Sequence, residues 1–169
     1  GSSSGSALSC GSSVEKLLVE EAPFISCGCS SGDGGAIYLS TSNGESVLSK
    51  ICSLNCSSPT AGQFTRILVK DDANFKNHVN YSTFSRVSKR SDKSQSTLRL
   101  FYGNILCPSV NISSNECSSH TAYSTNPKKA SPLTTCYVSY SSIVNNTANG
   151  RFGCIEHGGL DSSQCIDTC

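Results

Sequence analysis

An Ile-x-x-Asn element recurs along this chain at a nearly constant spacing. Ile112 to Asn115 and Ile143 to Asn146 have the full form, and their asparagines are 31 residues apart. Cys52 to Asn55 also ends in an asparagine, which lies 60 residues before Asn115, or about two such periods. Phe84 to Val87 and Ile25 to Gly28 fall near the remaining steps with the spacing but without the asparagine. This recurrence indicates the stacked coils of a repeat protein.

The segments between these elements alternate as strands do. Ile67 and Val69 alternate with polar residues in TRILVK, and the same pattern occurs in CYVSYS and TLRLFYG. Such short runs are too short for helical repeats, and one of them cannot bury its apolar face alone. Stacked in parallel, coil upon coil, they would share one interior. The residues alone therefore predict a β-rich solenoid.

We expect the recurring asparagine to lie at a corner between strands. Asparagine tolerates the left-handed backbone region better than other non-glycine residues, and its amide can bond the coils above and below. Identical amides stacked at one corner form a hydrogen-bonded ladder. The predicted ladder positions are Gly28, Asn55, Asn115 and Asn146.

Eleven cysteines are more than a reduced cytosolic chain usually carries, unless they bind metal or perform redox chemistry. No Cys-x-x-Cys pair occurs, so neither a structural metal nor another cofactor is expected. Disulfides are favoured instead, and the odd count indicates one partner outside this segment. From the coil positions we expect Cys29 to pair with Cys56, and Cys107 with Cys136, because adjacent strands place Cα atoms about 5 Å apart.

Four Asn-x-Ser/Thr sequences accompany the cysteines as candidate N-glycosylation sites, at Asn55, Asn80, Asn111 and Asn145. Together these features favour the secretory route and an extracellular or cell-surface location. Asn80 and Asn145 are expected to be the more accessible sites. Asn55 cannot be both a buried ladder amide and a glycan anchor.

The charge balance and the apolar pattern exclude several partners. Thirteen Lys and Arg against twelve Asp and Glu create no global field that would attract nucleic acid. No apolar run is long enough to span a membrane, so no membrane span is predicted. The chain contains no methionine, and we interpret it as a processed or excised piece of a longer precursor.

A second motif, GDGGAIYLS, occupies Gly32 to Ser40. Its Gly-Gly-Ala-Ile stretch, Gly34 to Ile37, together with the Ile-x-x-Asn copies, resembles the repeats of polymorphic membrane proteins of chlamydial type. The likeness extends especially to cysteine- and serine-rich surface proteins of trichomonad protists. FGCIEH, Phe152 to His157, resembles a divergent copy. The chain departs from the family by carrying Ile or Cys where Phe is usual, and by lacking Asn in two coils.

This resemblance, over residues 24–169, implies an all-β, right-handed parallel β-helix of about five to six coils. It also implies a surface or secreted protein used for adhesion or as a structural coat. Residues 1–23 are expected to form an N-terminal extension, in which Ser12 to Glu21 has the pattern of a short capping helix before Pro23. The opposite end lacks such a cover, which predicts end-to-end self-association into filaments.

Parallel β-helices also include pectin hydrolases, which use an Asn-Thr-Asp, an Asp-Asp and a Gly-His-Gly element. Asp71-Asp72 and Glu156 to Gly159 are similar to two of these, but the Asn-Thr-Asp is missing. The two clusters should lie about 15 Å apart, too far to share one glycosidic bond. Cys154 and His157 lack an orienting partner. We therefore expect no enzymatic activity.

A basic segment, Ser85 to Arg99, contains Arg86, Lys89, Arg90, Lys93 and Arg99 around a single acidic residue. It is either a solvated loop or a patch for sulfated or sialylated host glycans. The leading hypothesis is thus a structural or adhesive β-helix whose partners are copies of itself or surface glycans and proteins. The alternatives are a carbohydrate-active enzyme of the pectin lyase-like superfamily, and a loop-rich disulfide module that is not a solenoid.

Overall fold

The computed structural model describes residues 4–86, 95–118, 122–126, 136–148, 155–157 and 165–166. Within these ranges the regular structure is entirely β, in nineteen short strands. No helix in the described part is long and apolar enough to cross a membrane.

The bounds of the strands along the chain are as follows. In order they are β1 (Leu8–Cys10), β2 (Lys16–Glu20), β3 (Pro23–Ile25), β4 (Ile37–Ser40), β5 (Glu45–Ser49), β6 (Cys52–Leu54), β7 (Thr65–Leu68), β8 (Lys76–Asn80), β9 (Thr83–Ser85), β10 (Leu98–Phe101), β11 (Asn104–Pro108), β12 (Asn111–Ser113), β13 (Glu116–Cys117), β14 (Tyr123–Asn126), β15 (Cys136–Ser139), β16 (Ser142–Val144), β17 (Thr147–Ala148), β18 (Ile155–His157) and β19 (Cys165–Ile166).

These strands form three parallel sheets that run along a solenoid. The first sheet has the order β1-β4-β7-β10-β14-β18, the second β2-β5-β8-β11-β15-β19 and the third β3-β6-β9-β12-β16, while β13 pairs with β17. Each strand pairs with the equivalent strand of the next coil. Asn111, for example, is in register with Thr83 on one side and Ser142 on the other. The predicted parallel β-solenoid is therefore confirmed.

The predicted N-terminal capping helix is wrong, because its residues form β2 of the first coil. Lys16, Leu18 and Glu20 are exposed, whereas Leu17 and Val19 are half-buried and pack against the core. This alternation has the period of a strand, and β2 pairs along its whole length with β5. Part of the segment predicted as an extension, residues 1–23, thus contributes β1 and β2 to the sheets.

The interior consists of side-chain columns with one residue from each coil. In the third sheet, one column includes Phe24, Ser53, Phe84 and Ile112. Phe64, which precedes β7, inserts beside this column. Its ring centroid lies 5.4 Å from that of Phe24 and 4.9 Å from that of Phe84. Phe64 and Phe84 are fully buried, so the aromatic cluster joins neighbouring coils through the centre of the solenoid.

The Gly-Gly-Ala-Ile motif has a steric explanation at the entrance to β4. Gly34 has a φ of +65°, and a Cβ atom there would lie 2.2 Å from the Ile37 carbonyl oxygen. A Cβ atom on Gly35 would lie 2.1 Å from the Gln63 carbonyl oxygen of the next coil. Ala36 and Ile37 are fully buried. The motif thus lets two coils approach closely before the strand begins.

Two corners of the solenoid are built from left-handed residues that are not glycine. Between the second and third sheets the positions are Glu21, Lys50, Tyr81, Ser109 and Tyr140, and after the third sheet they are Ser26, Asn55, Arg86, Ser114 and Asn145, all with φ between 47° and 59°. The strand register stacks each set into one column along the solenoid. The corner geometry is therefore a property of the repeat and does not depend on one residue type.

Valine at a left-handed corner is expected to destabilise the fold. Ser114→Val should lower the free energy of unfolding by about 2 kcal/mol, because a β-branched residue tolerates positive φ poorly. The matched control is Ser113→Val, on the adjacent extended position of β12, where valine suits the strand. Urea unfolding would measure both, and equal stability of the two variants would contradict the corner assignment.

Candidate ligand-binding face

The amides of Asn115 and Asn146 stack on neighbouring coils. The Asn115 side-chain nitrogen donates to the Phe84 carbonyl oxygen at 3.3 Å and to the Asn146 side-chain oxygen at 3.0 Å. The Asn146 side-chain nitrogen donates to the Ile112 carbonyl oxygen at 2.8 Å. Each amide therefore bonds the backbone of the preceding coil, and Asn115 is almost completely buried.

The sequence pattern predicts that Asn55 and Gly28 stack with the amides of Asn115 and Asn146. In the structure each of them lies one residue away from that column of amides. Asn55 occupies the left-handed corner, is exposed, and donates to the Ser26 hydroxyl oxygen at 3.1 Å. Gly28 pairs with Ser57 instead. The register places Cys27 and Cys56 at the ladder position, where the Cys56 thiol donates to the Phe24 carbonyl oxygen at 3.5 Å. The predicted ladder position of Asn55 is wrong by one residue, because asparagine suits the left-handed corner as well as the ladder.

This one-residue shift also changes the expected disulfides. Cys56 faces Cys27, whereas Cys29 lies two residues out of register with Cys56. Cys107 is in register with Val138, and Cys136 with Ile105, so that pair is diagonal, at a Cα separation of about 8 Å. A disulfide cannot bridge more than about 7 Å without backbone movement. Neither predicted pair is aligned for a bond.

The buried thiols of the fourth and fifth coils are in an apolar setting. Burial raises the pKa of the Cys107 thiol well above its ordinary value, and the neighbouring Cys136 thiol adds to the shift. Burial likewise raises the pKa of Cys136 to about 11 and that of Cys117 to about 12. Such thiols are poor nucleophiles at neutral pH, which suits them to packing.

The four candidate glycosylation sites differ in exposure. Asn55 and Asn145 lie at exposed left-handed corners, and Asn111 is exposed at the start of β12. Asn80 is half-buried at the end of β8, with its side-chain oxygen enclosed. Three of the four asparagines are thus exposed, and Asn80 is less exposed than expected.

The basic segment is described only at its two ends. Arg86 is exposed at a corner after β9, and Arg99 lies on β10 in the first sheet. Lys89, Arg90 and Lys93 lie outside the described residues.

Arg99 belongs to a second basic feature, on the outer face of the first sheet. It is in register with Arg66 of β7, which is in register with Tyr38 of β4. Their neighbours along each strand are buried, so these three side chains point away from the core. In-register residues on adjacent strands are about 4.8 Å apart, and the two arginines therefore lie side by side. We call Tyr38, Arg66, Arg99 and Phe101 the arginine face.

Aromatic rings hold both guanidinium groups of the arginine face. The guanidinium carbon of Arg66 lies 5.8 Å from the centroid of Tyr38 and 5.7 Å from that of Phe101. The corresponding carbon of Arg99 lies 5.1 Å from the centroid of Phe101. Contacts of this length are favourable cation–π interactions. Phe101 therefore packs against both positive groups and reduces the cost of placing them together.

Polar residues at the sheet entrance orient the same guanidinium groups. An Arg66 nitrogen lies 3.0 Å from a carboxylate oxygen of Asp33, whose other oxygen accepts from the Thr60 hydroxyl at 2.6 Å. Arg99 donates to the Gln95 side-chain oxygen at 3.0 Å, a contact that adds no negative charge. The arginine face itself carries the two positive charges of Arg66 and Arg99.

The arginine face carries donor groups of the kind that anion recognition uses. A guanidinium group offers a planar fork of donors that matches carboxylate and sulfate oxygens. Two such forks about one strand apart, held by rings and by Asp33, are arranged before a ligand arrives. The sequence pattern did not single out Arg66, although both arginines follow the first residue of their strands in TRIL and LRLF.

The acidic clusters considered for catalysis are separated in the fold. Asp71 and Asp72 follow β7, where Asp72 accepts from the Asn74 backbone at 3.0 Å in a turn. Glu156 belongs to β18, three strands away in the same sheet, or about 14 Å. Cys154 lies outside the described residues. No group of three or more metal-ligating side chains occurs in the part of the chain that the structure describes.

A shallow groove of about 460 Å³ lies at the corner between the first and second sheets. Its lining includes Glu15, Lys16 and Glu45. Lys16 lies 3.8 Å from the Glu45 carboxylate, which also accepts from the Lys76 backbone at 3.3 Å. The groove thus carries both signs of charge, unlike the arginine face.

Comparisons with known proteins do not extend these observations. No protein-family model, no curated protein and no solved structure matches the chain. The resemblance to polymorphic membrane protein repeats therefore stays a prediction.

Proposed function

We propose that this protein is an extracellular or cell-surface adhesive β-solenoid, and that its arginine face binds acidic glycans. The observation that carries the proposal is the side-by-side placement of Arg66 and Arg99, each held against an aromatic ring. The cysteine content and the exposed sequons at Asn55, Asn111 and Asn145 support a secreted setting. End-to-end self-association stays a prediction.

The geometry favours a repeating anionic ligand over a single small anion. The arginine face runs across β4, β7 and β10 with half-buried side chains, so a linear polysaccharide lying across these strands could contact several coils at once. Charge-assisted hydrogen bonds from the two guanidinium groups would supply orientation. Because part of the attraction is electrostatic, binding should weaken as salt concentration rises.

Binding is tested with a heparin-derived oligosaccharide, with its desulfated form and with polysialic acid. Arg66→Glu and Arg99→Glu should each weaken binding of the sulfated probe at least about tenfold, because each replaces a favourable charge by a repulsive one. The matched control is Lys16→Glu, the same charge change on the exposed edge of the second sheet. Calorimetry or surface plasmon resonance would report the dissociation constants.

The outcomes separate the hypotheses. Equal losses for all three variants would mean attraction by net charge alone, and unchanged binding in both arginine variants would refute the arginine face. Preference for polysialic acid would identify carboxylates as the recognised groups. Cleavage of the probe would instead favour the enzyme alternative, for which Glu15 and Glu45 of the corner groove would be the first carboxylates to replace.

A further inference from the structure

Cys27 and Cys56 face one another on the first two coils. The strand register aligns Ile25 with Leu54, and a bridge aligns Gly28 with Ser57. Two residues separate these pairs on each strand, so Cys27 is opposite Cys56. The backbone agrees, because the Cys27 carbonyl oxygen accepts from the Ser57 nitrogen at 2.9 Å. Paired Cα atoms on adjacent strands are about 4.8 Å apart, within the range of a disulfide.

The two thiols lie in different settings. Burial raises the pKa of the Cys56 thiol, which donates to the Phe24 carbonyl oxygen at 3.5 Å, whereas the Cys27 thiol donates to the Ile25 carbonyl oxygen at 3.8 Å. Cys56 is fully buried, whereas Cys27 is half-buried at the surface of the first coil. One sulfur is therefore reachable from solvent and the other lies directly behind it.

We propose that Cys27 and Cys56 are the site of a disulfide that ties the first coil to the second, formed by exchange with a small-molecule disulfide such as oxidised glutathione. The Cys27 thiolate attacks one glutathione sulfur, which breaks the glutathione S–S bond and releases one glutathione thiolate. The Cys56 thiolate then attacks the Cys27 sulfur and displaces the second glutathione. Two protein thiols are oxidised, one oxidised glutathione is reduced to two glutathione molecules, and the two protons leave with them.

The other described cysteines do not offer this geometry. Cys29 lies two residues out of register with Cys56. Cys52 faces outward between Pro23 and Thr83 of the neighbouring coils. Cys107 and Cys136 are diagonal and fully buried. Within the ranges that the structure describes, Cys27 and Cys56 are the only two thiols that lie opposite one another on adjacent strands.

The bond would stabilise the N-terminal end of the solenoid. The first coil pairs with one neighbour through β1, β2 and β3. A covalent link to the second coil would limit its separation and would restrict the unfolded chain. Oxidation should therefore raise the melting temperature by about 5–10 °C.

The test uses the reduced folded chain, exposed to oxidised glutathione and then digested with trypsin without reduction. Trypsin should release residues 17–50, which contain Cys27, and residues 51–66, which contain Cys56. Mass spectrometry should find these two peptides joined, with fragmentation placing the bond at Cys27 and Cys56. Cys27→Ser should abolish the cross-link and the gain in melting temperature.

Matched variants keep the proposal falsifiable. Cys29→Ser and Cys52→Ser alter the same two peptides and should leave the cross-link intact, so either variant removing it would overturn the assignment. A stable mixed disulfide at Cys27 that Cys56 never displaces would overturn it as well. If Cys56→Ser fails to fold, the Cys27→Ser variant alone tests the proposal. This variant should fold, because the Cys27 side chain is only half-buried. None of these readouts depends on glycan binding.

Discussion

Replacing Phe84 by alanine is expected to lower the free energy of unfolding by about 4 kcal/mol. The ring is fully buried and packs against Phe64 at a centroid distance of 4.9 Å. Alanine removes this contact and opens a cavity between the third and fourth coils. Neighbours on the solenoid axis cannot close it, because each is fixed by its own sheet pairs.

Urea unfolding followed by circular dichroism would measure this loss. The control is Leu18→Ala, which truncates a side chain that is 62% exposed on β2 and should change stability by less than about 0.5 kcal/mol. A loss below about 1 kcal/mol for Phe84→Ala would contradict a packed aromatic core. Repeat proteins also unfold in parts, so coincidence of two spectroscopic probes should be checked first.

Asn115→Ala should cost about 3 kcal/mol, because it removes an amide that bonds two other coils. The Phe84 carbonyl oxygen and the Asn146 side-chain oxygen each lose a donor from the Asn115 amide. Asn115 is almost completely buried, so water cannot readily replace those bonds.

The control for this variant is Asn111→Ala, an exposed asparagine of β12 on the same coil. Both variants should be prepared without glycosylation, since Asn111 is also a sequon. We expect Asn111→Ala to remain within about 0.5 kcal/mol of the parent. Equal stability of the two variants would mean that the amide column does not hold the coils together.

The sequence pattern predicted only part of the asparagine ladder. The asparagine period of 31 residues predicted that Asn115 and Asn146 would stack, and their amides do share a hydrogen bond. The same alignment assigned Asn55 to the wrong position by one residue. Asparagine suits a left-handed corner and a buried ladder for different reasons, and residue type alone could not separate the two.

The arginine face could not have been found by spacing. In-register residues are 33 positions apart between β7 and β10 but 25 apart between β10 and β14. Insertions at the corners change the period without changing the pairing. Arg66 and Arg99 therefore become neighbours only when the sheet is formed.

The sequence by itself determined the strand alternation, the repeat and the parallel stacking that buries it. These are local or periodic properties, and parallel stacking is one of the few arrangements in which short alternating strands can bury their apolar faces. The tertiary structure alone decided the register. Since a shift of one residue exchanges the inner and outer faces, register determines which side chains meet between coils. It brought Cys27 opposite Cys56 and Arg66 beside Arg99, and it made the N-terminal segment a strand because an existing sheet edge offered it partners.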